Sequence, residues 1–463
     1  MSRTTGALVL AGGKGTRMYS DTPKVLLRVL EEPVLYYVYT ALDAVFGQTV
    51  WTIIGHGADA VRQAFPDRSE KMILQEQQLG TGHALMVAWP HLVDAGLSHV
   101  LVVNGDTPQI APGTLEQFCA SCVGKGGKKP ADLAFMSLEL GNPGSFGRVI
   151  RERGKVKAIV EAKDFQPEIH GQEPTEVNAG IYWISLASIG PLLSMLKANN
   201  KNKELYITDL VGFAVEQGLA VRGVVCGNDA RLNGVNTPQE LVAAEESIRA
   251  AIVSGHLAEG VFVRSPETVR IGPKVRIEKG AELVGPCELY GQTSLGAGVR
   301  LDSHCKLVDS GIADGAHIKS YSCLDTAQVG AGATVGPYAR LRPGAVLEES
   351  VHVGNFVEVK KSVLHKGAKV NHLTYIGDAD VGEACNVGAG TITCNYDGVN
   401  KYRTVIGKGA FIGSNTSLVA PVEIGDNALV GAGSVITKSI PEGQMGVARG
   451  RQVVLPRKAI PKK

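Results

Sequence analysis

No apolar run in the 463 residues approaches the ~18 needed to cross a bilayer, so no membrane span is expected. Charge of one sign is missing as well: a formal net charge of +2 argues against a nucleic-acid or membrane footprint. The opening stretch MSRTTGALVLAGGKGTR meets charge too soon for a secretory signal, and a cytoplasmic location is expected. Cysteine is sparse. Eight residues in a chain without an export signal read as reduced thiols rather than a disulfide framework. Cys119 and Cys122 form a CxxC, but no second Cys or His pair completes four zinc ligands. They fall in an expected helix, 114–123, and read as incidental.

What the chain has is length, enough for two or more domains, and a repeat. Between Ile406 and Ile436 an aliphatic residue returns every sixth position: Ile406, Ile412, Leu418, Ile424, Val430, Ile436. A small or β-branched residue precedes each by two places (Thr404, Ala410, Thr416, Val422, Ala428, Ser434), and earlier blocks keep the same beat with single-residue slips. A helix cannot use this pattern, because six residues turn through about 600° and scatter the aliphatics over three faces. On a strand, positions i and i−2 face the same side, so each hexamer supplies two inward side chains. A fixed period of this kind predicts a parallel β-helix over 271–436, three hexamers to a coil. An antiparallel sandwich would not hold so strict a beat.

The N-terminal half alternates. A strand, GALVLAG, runs into Gly12, Gly13, Lys14, Gly15, Thr16 and Arg17, a glycine-rich turn where backbone N–H groups can approach anionic oxygens. The Lys-Ser/Thr pair of a Walker loop and the dinucleotide GxGxxG are both absent. Arg17 and Lys24 flank the turn, close enough for both to reach a triphosphate. Strands at 49–54 and 100–103 with helices between predict a doubly wound parallel sheet. Gly80, Thr81 and Gly82 suit either a loop contacting a base or the start of a capped helix. Asp106 follows the third strand, where such sheets bind ligands; a lone carboxylate there suits Mg²⁺ shared with phosphates, or caps the next helix.

LAGGKGTRM, Pro23-Lys24, Gln75 with GTGHA, and Gly105-Asp106, in that order, resemble the sugar-1-phosphate nucleotidyltransferases. The resemblance implies a Rossmann-like domain in which Leu10, Ala11, Gly12, Gly13, Gln75, Gly80 and Thr81 bind UTP, beside Asn104 and Gly105. It gives the phosphates to Lys24 and the metal to Asp106. Further matches imply that Gly147, Glu161 and Asn178 hold the sugar and that Asn236 is the second metal ligand. Two departures stand near the nucleotide: Ala11-Gly12-Gly13 where Ala-Ala-Gly is usual, and Asn104 where Tyr is common. The chemistry joins two anions, so it needs neutralisation and in-line positioning by Mg²⁺, Lys24 and Arg17, with no side-chain nucleophile.

Residues 237–253 read as a helix, with Pro238 in its first turn and Ser254-Gly255 at its end. The expected division is 1–236, a linker at 237–255, and 256–463. Within the coil, residues that break the repeat cluster between 340 and 396, and the beat lapses over 393–404, an excursion of the kind that carries function. An imidazole at His372 could take a proton from an attacking amine, while Arg342, Lys360 and Tyr375 could hold a sugar phosphate. Glu358 is a candidate partner for His372 by sequence proximity.

RLRPG, GNFVEVKK, NHLTYIGDA and VGAGTITCNYDG then extend the resemblance over nearly the whole chain, to the bacterial bifunctional N-acetylglucosamine-1-phosphate uridylyltransferase/glucosamine-1-phosphate N-acetyltransferases. It implies a left-handed β-helix and a homotrimer with acetyltransfer sites between neighbouring coils. It makes His372 the general base and assigns glucosamine-1-phosphate to Arg342, Lys360, Tyr375 and Asn386. Ala389, Asn395, Tyr396, Ser414, Ala432 and Arg449 would contact acetyl-CoA. Arg451, Arg457, Lys458, Lys462 and Lys463 make a basic arm with solvated cations as the default. The rival from another class is a single-activity nucleotidyltransferase whose coil is structural or regulatory; HLTYIGD and CNYDG argue against it.

Overall fold

The computed structural model describes residues 5–124 and 129–456, so Arg457, Lys458, Lys462 and Lys463 of the basic arm lie outside the described residues. The chain divides into two compact units, Met1–Glu246 and Ser247–Lys463. Among the described residues no helix is long and apolar enough to cross a membrane.

In the first unit, a continuous apolar run makes β1 (Thr5–Ala11), whose Ala7, Leu8 and Val9 are wholly buried. Strands β2 (Val50–Ile54), β3 (Met72–Leu74), β4 (His99–Asn104), β5 (Leu133–Glu139), β6 (Arg148–Glu152), β7 (Lys155–Val160), β8 (Glu176–Ser185) and β9 (Val221–Val225) complete the sheet. Its order is β9-β5-β8-β4-β1-β2-β3, with the β6–β7 hairpin hung from β8. Alternate residues serve opposite cores: Ala7 and Val9 meet Leu35, Val38 and Leu42 of the helix Val34–Phe46. Leu8 and Ile53 meet Leu85, Ala88 and Leu92 of the helix Thr81–Asp94. Helices on both faces are what a strand buried on both sides requires.

The expected parallel sheet is mixed instead. β8 runs antiparallel to both β4 and β5, because a hairpin rather than a crossover helix precedes it. Cys119 and Cys122 lie buried in the helix Pro112–Cys122, and burial pushes their thiols up to about 12 and about 11, leaving them protonated and inert.

The helix Pro238–Ala258 begins with a capping box. Glu240 Oε2 accepts the Thr237 N–H at 3.0 Å, and Thr237 Oγ1 accepts the Glu240 N–H at 3.2 Å. It does not stop at Gly255. The stop signal is Gly260, whose φ of +90° lets the Val261 N–H turn back to the His256 carbonyl at 3.0 Å, a Schellman closure.

The second unit is a parallel coil of three sheets with eleven, ten and nine short strands. The six-residue beat is its interior: Ile406, Ile412, Leu418, Ile424, Val430 and Ile436 are all buried, and so are the residues two places before them. The hydroxyls of Thr416 and Ser434 turn back onto the carbonyls of Gly413 and Gly431, both at 2.6 Å, so the core admits them without an unpaired group. Arg249, buried at the base of the stack, donates to the carbonyls of Pro266 at 2.6 Å and Val269 at 3.2 Å, while Val253 joins the core.

Each corner carries residues with left-handed backbone, in three columns. One is mostly glycine (Gly280, Gly298, Gly315, Gly332). A second is polar (Asp309, Thr326, Lys361, Asp378). The third reads His304, Tyr321, Tyr338, Phe356, Leu373, Gly390, Asn415, Gly433. The excursion occupies 395–403, shorter at both ends than the lapse in the beat. Thr393 and Thr404 belong to the strands Ile392–Cys394 and Thr404–Ile406, their side chains buried inside.

Candidate functional site

The order of the first sheet reverses between β1 and β4, and open α/β sheets bind ligands at such a switch point, beyond the carboxyl ends of the strands. The Gly105 N–H donates to the Leu10 carbonyl at 2.9 Å, locking the two strand ends together. A cavity of about 640 Å³ opens there, lined by Leu10, Ala11, Gly12, Gly13, Lys24, Gln75, Gly80, Thr81, Asn104 and Asp106 among others. Buried Gln75 donates its amide to the Gly80 carbonyl at 3.1 Å and lies 3.0 Å from His83 Nδ1. Gly12 faces it: a Cβ there would sit 3.1 Å from Gln75 Oε1. Thr81 opens its helix after Gly80, with no side chain capping the start, and its hydroxyl accepts the Ile207 N–H at 3.1 Å. Asn104 packs against Gly180, whose φ of +75° and missing side chain make the room; a Cβ would fall 2.3 Å from Asn104 Nδ2.

At the mouth, residues far apart in sequence converge. Lys24 is ion-paired with Asp106, and Asn236 Oδ1 accepts from Lys24 Nζ and from Arg17 Nη2, each at 3.1 Å. Asp106 caps no helix side-on; its Oδ1 is buried without a hydrogen-bond partner. That orphaned oxygen beside the Asn236 amide oxygen fits a hard cation taking its other ligands from phosphate and water. Gly234 makes the approach possible, since a Cβ there would meet Asp106 Oδ1 at 2.8 Å.

Gly147, Glu161 and Asn178 form a neighbouring group. A Cβ on Gly147 would stand 3.6 Å from Glu161 Oε2 and 3.7 Å from Asn178 Cβ. Burial lifts the Glu161 carboxyl above its ordinary range, opposed by the Thr208 hydroxyl donating to Oε1 at 3.0 Å and reinforced by Asp164 and Glu204. Asn178 is fixed at both ends, by the Gly180 N–H at 3.0 Å and by the buried Tyr182 hydroxyl at 2.6 Å. Thr208 and Tyr182 escaped the sequence reading: Thr208 acts through Glu161, 47 residues away, and Tyr182 only through the side chain of Asn178.

In the coil, His372 is exposed at the end of the strand Lys369–His372. Its Nδ1 lies 2.7 Å from Asn355 Oδ1, the side chain directly beneath it in register. Nδ1–H thus donates to Asn355, which leaves the lone pair on Nε2. Glu358 is not the partner of His372. It sits in the next sheet and accepts from Arg342 Nη1 at 2.8 Å. Across the corner, the Tyr375 hydroxyl lies over Gly377, the register neighbour of Lys360; a Cβ on Gly377 would be 2.3 Å from it. Lys401 of the excursion crowds Lys360 and lowers its pKa, with desolvation second. Lys401 is a further cation that the sequence reading did not single out. Asn386 stands in the His372 sheet, opposite Lys369.

Ala389, Ser414 and Ala432 occupy the same register position as His372 on successive coils, the place just before the third corner. The Gly390 N–H donates to the His372 carbonyl at 3.2 Å, Asn415 to Ala389 at 2.7 Å, and Gly433 to Ser414 at 2.8 Å. Arg449 reaches the Ala432 carbonyl at 2.7 Å. Asn395, at the root of the excursion, is bonded to Asp378, and the Tyr396 ring is exposed.

Residues 7–148 match the model of the MobA-like NTP transferase domain, and residues 403–438 match that of the bacterial transferase hexapeptide. The Bifunctional protein GlmU of Oleidesulfovibrio alaskensis is 56% identical over 449 residues, covering 97% of this chain and 97% of its own. That of Nitratidesulfovibrio vulgaris (strain Hildenborough) is also 56% identical, over 99% of both chains. The chain belongs to the bifunctional GlmU family. A third GlmU, from Acinetobacter baumannii, is 40% identical over 97% of both chains. The two activities implied by the sequence, uridylyl transfer and N-acetyl transfer in UDP-N-acetylglucosamine synthesis, are those of GlmU. The nucleotidyltransferase and hexapeptide matches fall one in each unit.

Proposed function

We propose that residues 1–236 couple N-acetylglucosamine-1-phosphate to UTP, that 237–255 link, and that 256–463 first acetylate glucosamine-1-phosphate. The observation that carries the division is the single column His372, Ala389, Ser414, Ala432, which gives an extended coenzyme a straight track ending at an imidazole.

In the first unit, Leu10, Ala11, Gly12, Gly13, Gln75, Gly80 and Thr81 take the nucleotide, beside Asn104 and Gly105, and Gly147, Glu161 and Asn178 take the sugar. A phosphate oxygen of the sugar attacks the α-phosphorus, and the bond to pyrophosphate breaks. Lys24 and Arg17 offset the charge that two anions bring together. Asp106 and Asn236 would hold Mg²⁺, which when bound adds neutralisation and alignment of the phosphates.

In the coil, Arg342, Lys360 and Tyr375, with Asn386, hold glucosamine-1-phosphate. The depressed pKa of Lys360 beside Lys401 supports an anion site, since crowded ammonium groups favour a phosphate between them. Nε2 of His372 takes the proton from the amine, whose nitrogen forms the amide as the carbon–sulfur bond of acetyl-CoA breaks. Ala389, Asn395, Tyr396, Ser414, Ala432 and Arg449 carry the coenzyme. The exposure of His372 and of the aromatic corner supports a homotrimer in which a neighbouring coil supplies the second wall. Use of acetyl-CoA and UTP as co-substrates supports a cytoplasmic location.

The test is release of coenzyme A thiol from acetyl-CoA on adding glucosamine-1-phosphate without UTP, against a protein blank for the eight cysteines. Release that depends on the sugar is expected. A chain that makes UDP-sugar yet releases no thiol would reduce the coil to a scaffold.

A further inference from the structure

Gln75 follows β3, its N–H held by the Ile54 carbonyl at 2.8 Å, and its side chain is 4% exposed in the wall of the nucleotide cavity. A buried primary amide has two hydrogens to place and an oxygen to satisfy. One hydrogen goes to the Gly80 carbonyl at 3.1 Å. A carbonyl accepts and never donates, so this contact fixes which end of the amide is nitrogen. The second hydrogen goes to His83 Nδ1 at 3.0 Å, which is therefore the unprotonated ring nitrogen, with the ring hydrogen on Nε2. His83 is itself placed by the first turn of the helix Thr81–Asp94. Both amide hydrogens are thus taken up within the protein, and Oε1 faces the other way. It lies toward Gly12, where an added Cβ would stand 3.1 Å from it, and among the described residues nothing donates to it. An acceptor without a protein partner, carried into a cavity by a buried side chain, is satisfied by what enters.

We propose that His83 makes this pocket select uracil over cytosine, by holding the Gln75 amide so that it offers the base an acceptor and no donor. The inference rests on the reading of Gln75 as a contact to the nucleotide. Uracil has one donor on its free ring edge, N3–H, between two carbonyls, so an acceptor alone meets it there. Cytosine seated in the same place turns the N3 lone pair toward Oε1, and its amine lies one ring atom further round. Were the amide reversed, the preference would reverse with it: Nε2 would suit the cytosine N3 and crowd the uracil hydrogen. Reversal is opposed twice, since Oε1 would then face two acceptors, the Gly80 carbonyl and His83 Nδ1. The carbonyl is backbone; the imidazole is the half of this constraint that a side chain supplies. His83 is not among the residues lining the cavity and acts through Gln75, so it is a positioning residue.

The test compares kcat/KM for UTP and CTP, with N-acetylglucosamine-1-phosphate as acceptor, in the full chain and its His83→Ala, His83→Asp and Gln75→Ala variants. Without the imidazole one of the two contacts that oppose reversal is gone, so the CTP-to-UTP ratio should rise roughly five-fold in His83→Ala. An aspartate carries an acceptor-only oxygen as many bonds from the backbone as Nδ1, so His83→Asp should keep the ratio of the unaltered chain. Because the readout is a ratio, a general loss of activity does not imitate it. If Gln75→Ala raises the ratio while His83→Ala leaves it in place, or if His83→Ala and His83→Asp raise it equally, the proposal is overturned. A ratio that even Gln75→Ala does not move would show that the base is read elsewhere, and would remove the nucleotide contact on which the proposal rests.

Discussion

The two candidate sites handle phosphorylated sugars on surfaces of opposite shape. The pocket of the first unit is concave and draws Lys24, Asp106 and Asn236 together from across the chain, at a place created by strand order. The coil site lies on the outside of a rod. Its residues are set by register alone, His372 above Asn355 and beside the run of Ala389, Ser414 and Ala432. The difference teaches that a sheet can enclose a ligand with one chain, whereas a coil offers a ruled edge and leaves the ligand's other side open.

The strongest way to break that comparison is to silence each site alone. His372→Ala should lower acetyl transfer by roughly 10²–10⁴-fold and spare uridylyl transfer. Asp106→Ala should do the reverse, by roughly 10²–10³-fold. Both activities are measured on both variants, and one change that abolished both would show the sites to be coupled. A smaller effect sharpens the register argument. Asn355→Ala removes one hydrogen bond to the imidazole, about 1 kcal/mol or some five-fold in kcat for acetyl transfer. Asn355→Asp should move the acid limb of the pH–rate profile to higher pH by favouring the imidazolium. An acid limb that ignores the aspartate would sever Asn355 from the base.

The smallest effect concerns stability in the concave unit. Burial, then Glu161 and Asp164, raise the Asp209 carboxyl to about 6, above its usual range. The native state then holds that proton more tightly than the unfolded chain, so stability falls as pH rises from about 4 to about 6, and the penalty persists above. Asp209→Asn should therefore raise the urea midpoint of the first unit near pH 8, on the order of 1 kcal/mol, and leave it unchanged below about pH 4. A variant less stable than the parent near pH 8 would contradict the sign.

The coil was open to reading because each hexamer buries its own pair of side chains, so periodicity alone locates the interior. The place of the glycine-rich turn at the cavity was legible for a similar reason, since a Cβ at Gly12 would crowd Gln75 Oε1 at 3.1 Å. The direction of β8 was not, since nothing in 176–185 announces that a hairpin precedes it. Nor was the partner of His372. Asn355 and Glu358 both lie one coil earlier, and only the boundary between sheets decides that one reaches the imidazole and the other Arg342. Gly255 misled as a stop because a helix tolerates one glycine, and the real signal needed positive φ five residues later.

The guanidinium of Arg249 and the Val253 side chain close the first rung of the coil. A stack of parallel strands has no natural end: any rung with free carbonyls is a template for the next, and an uncovered one invites another rod to continue it. By occupying the carbonyls of Pro266 and Val269 and filling the bore with a valine, the helix acts as a lid against filament growth. The same segment that joins the two units thus keeps a self-propagating architecture finite.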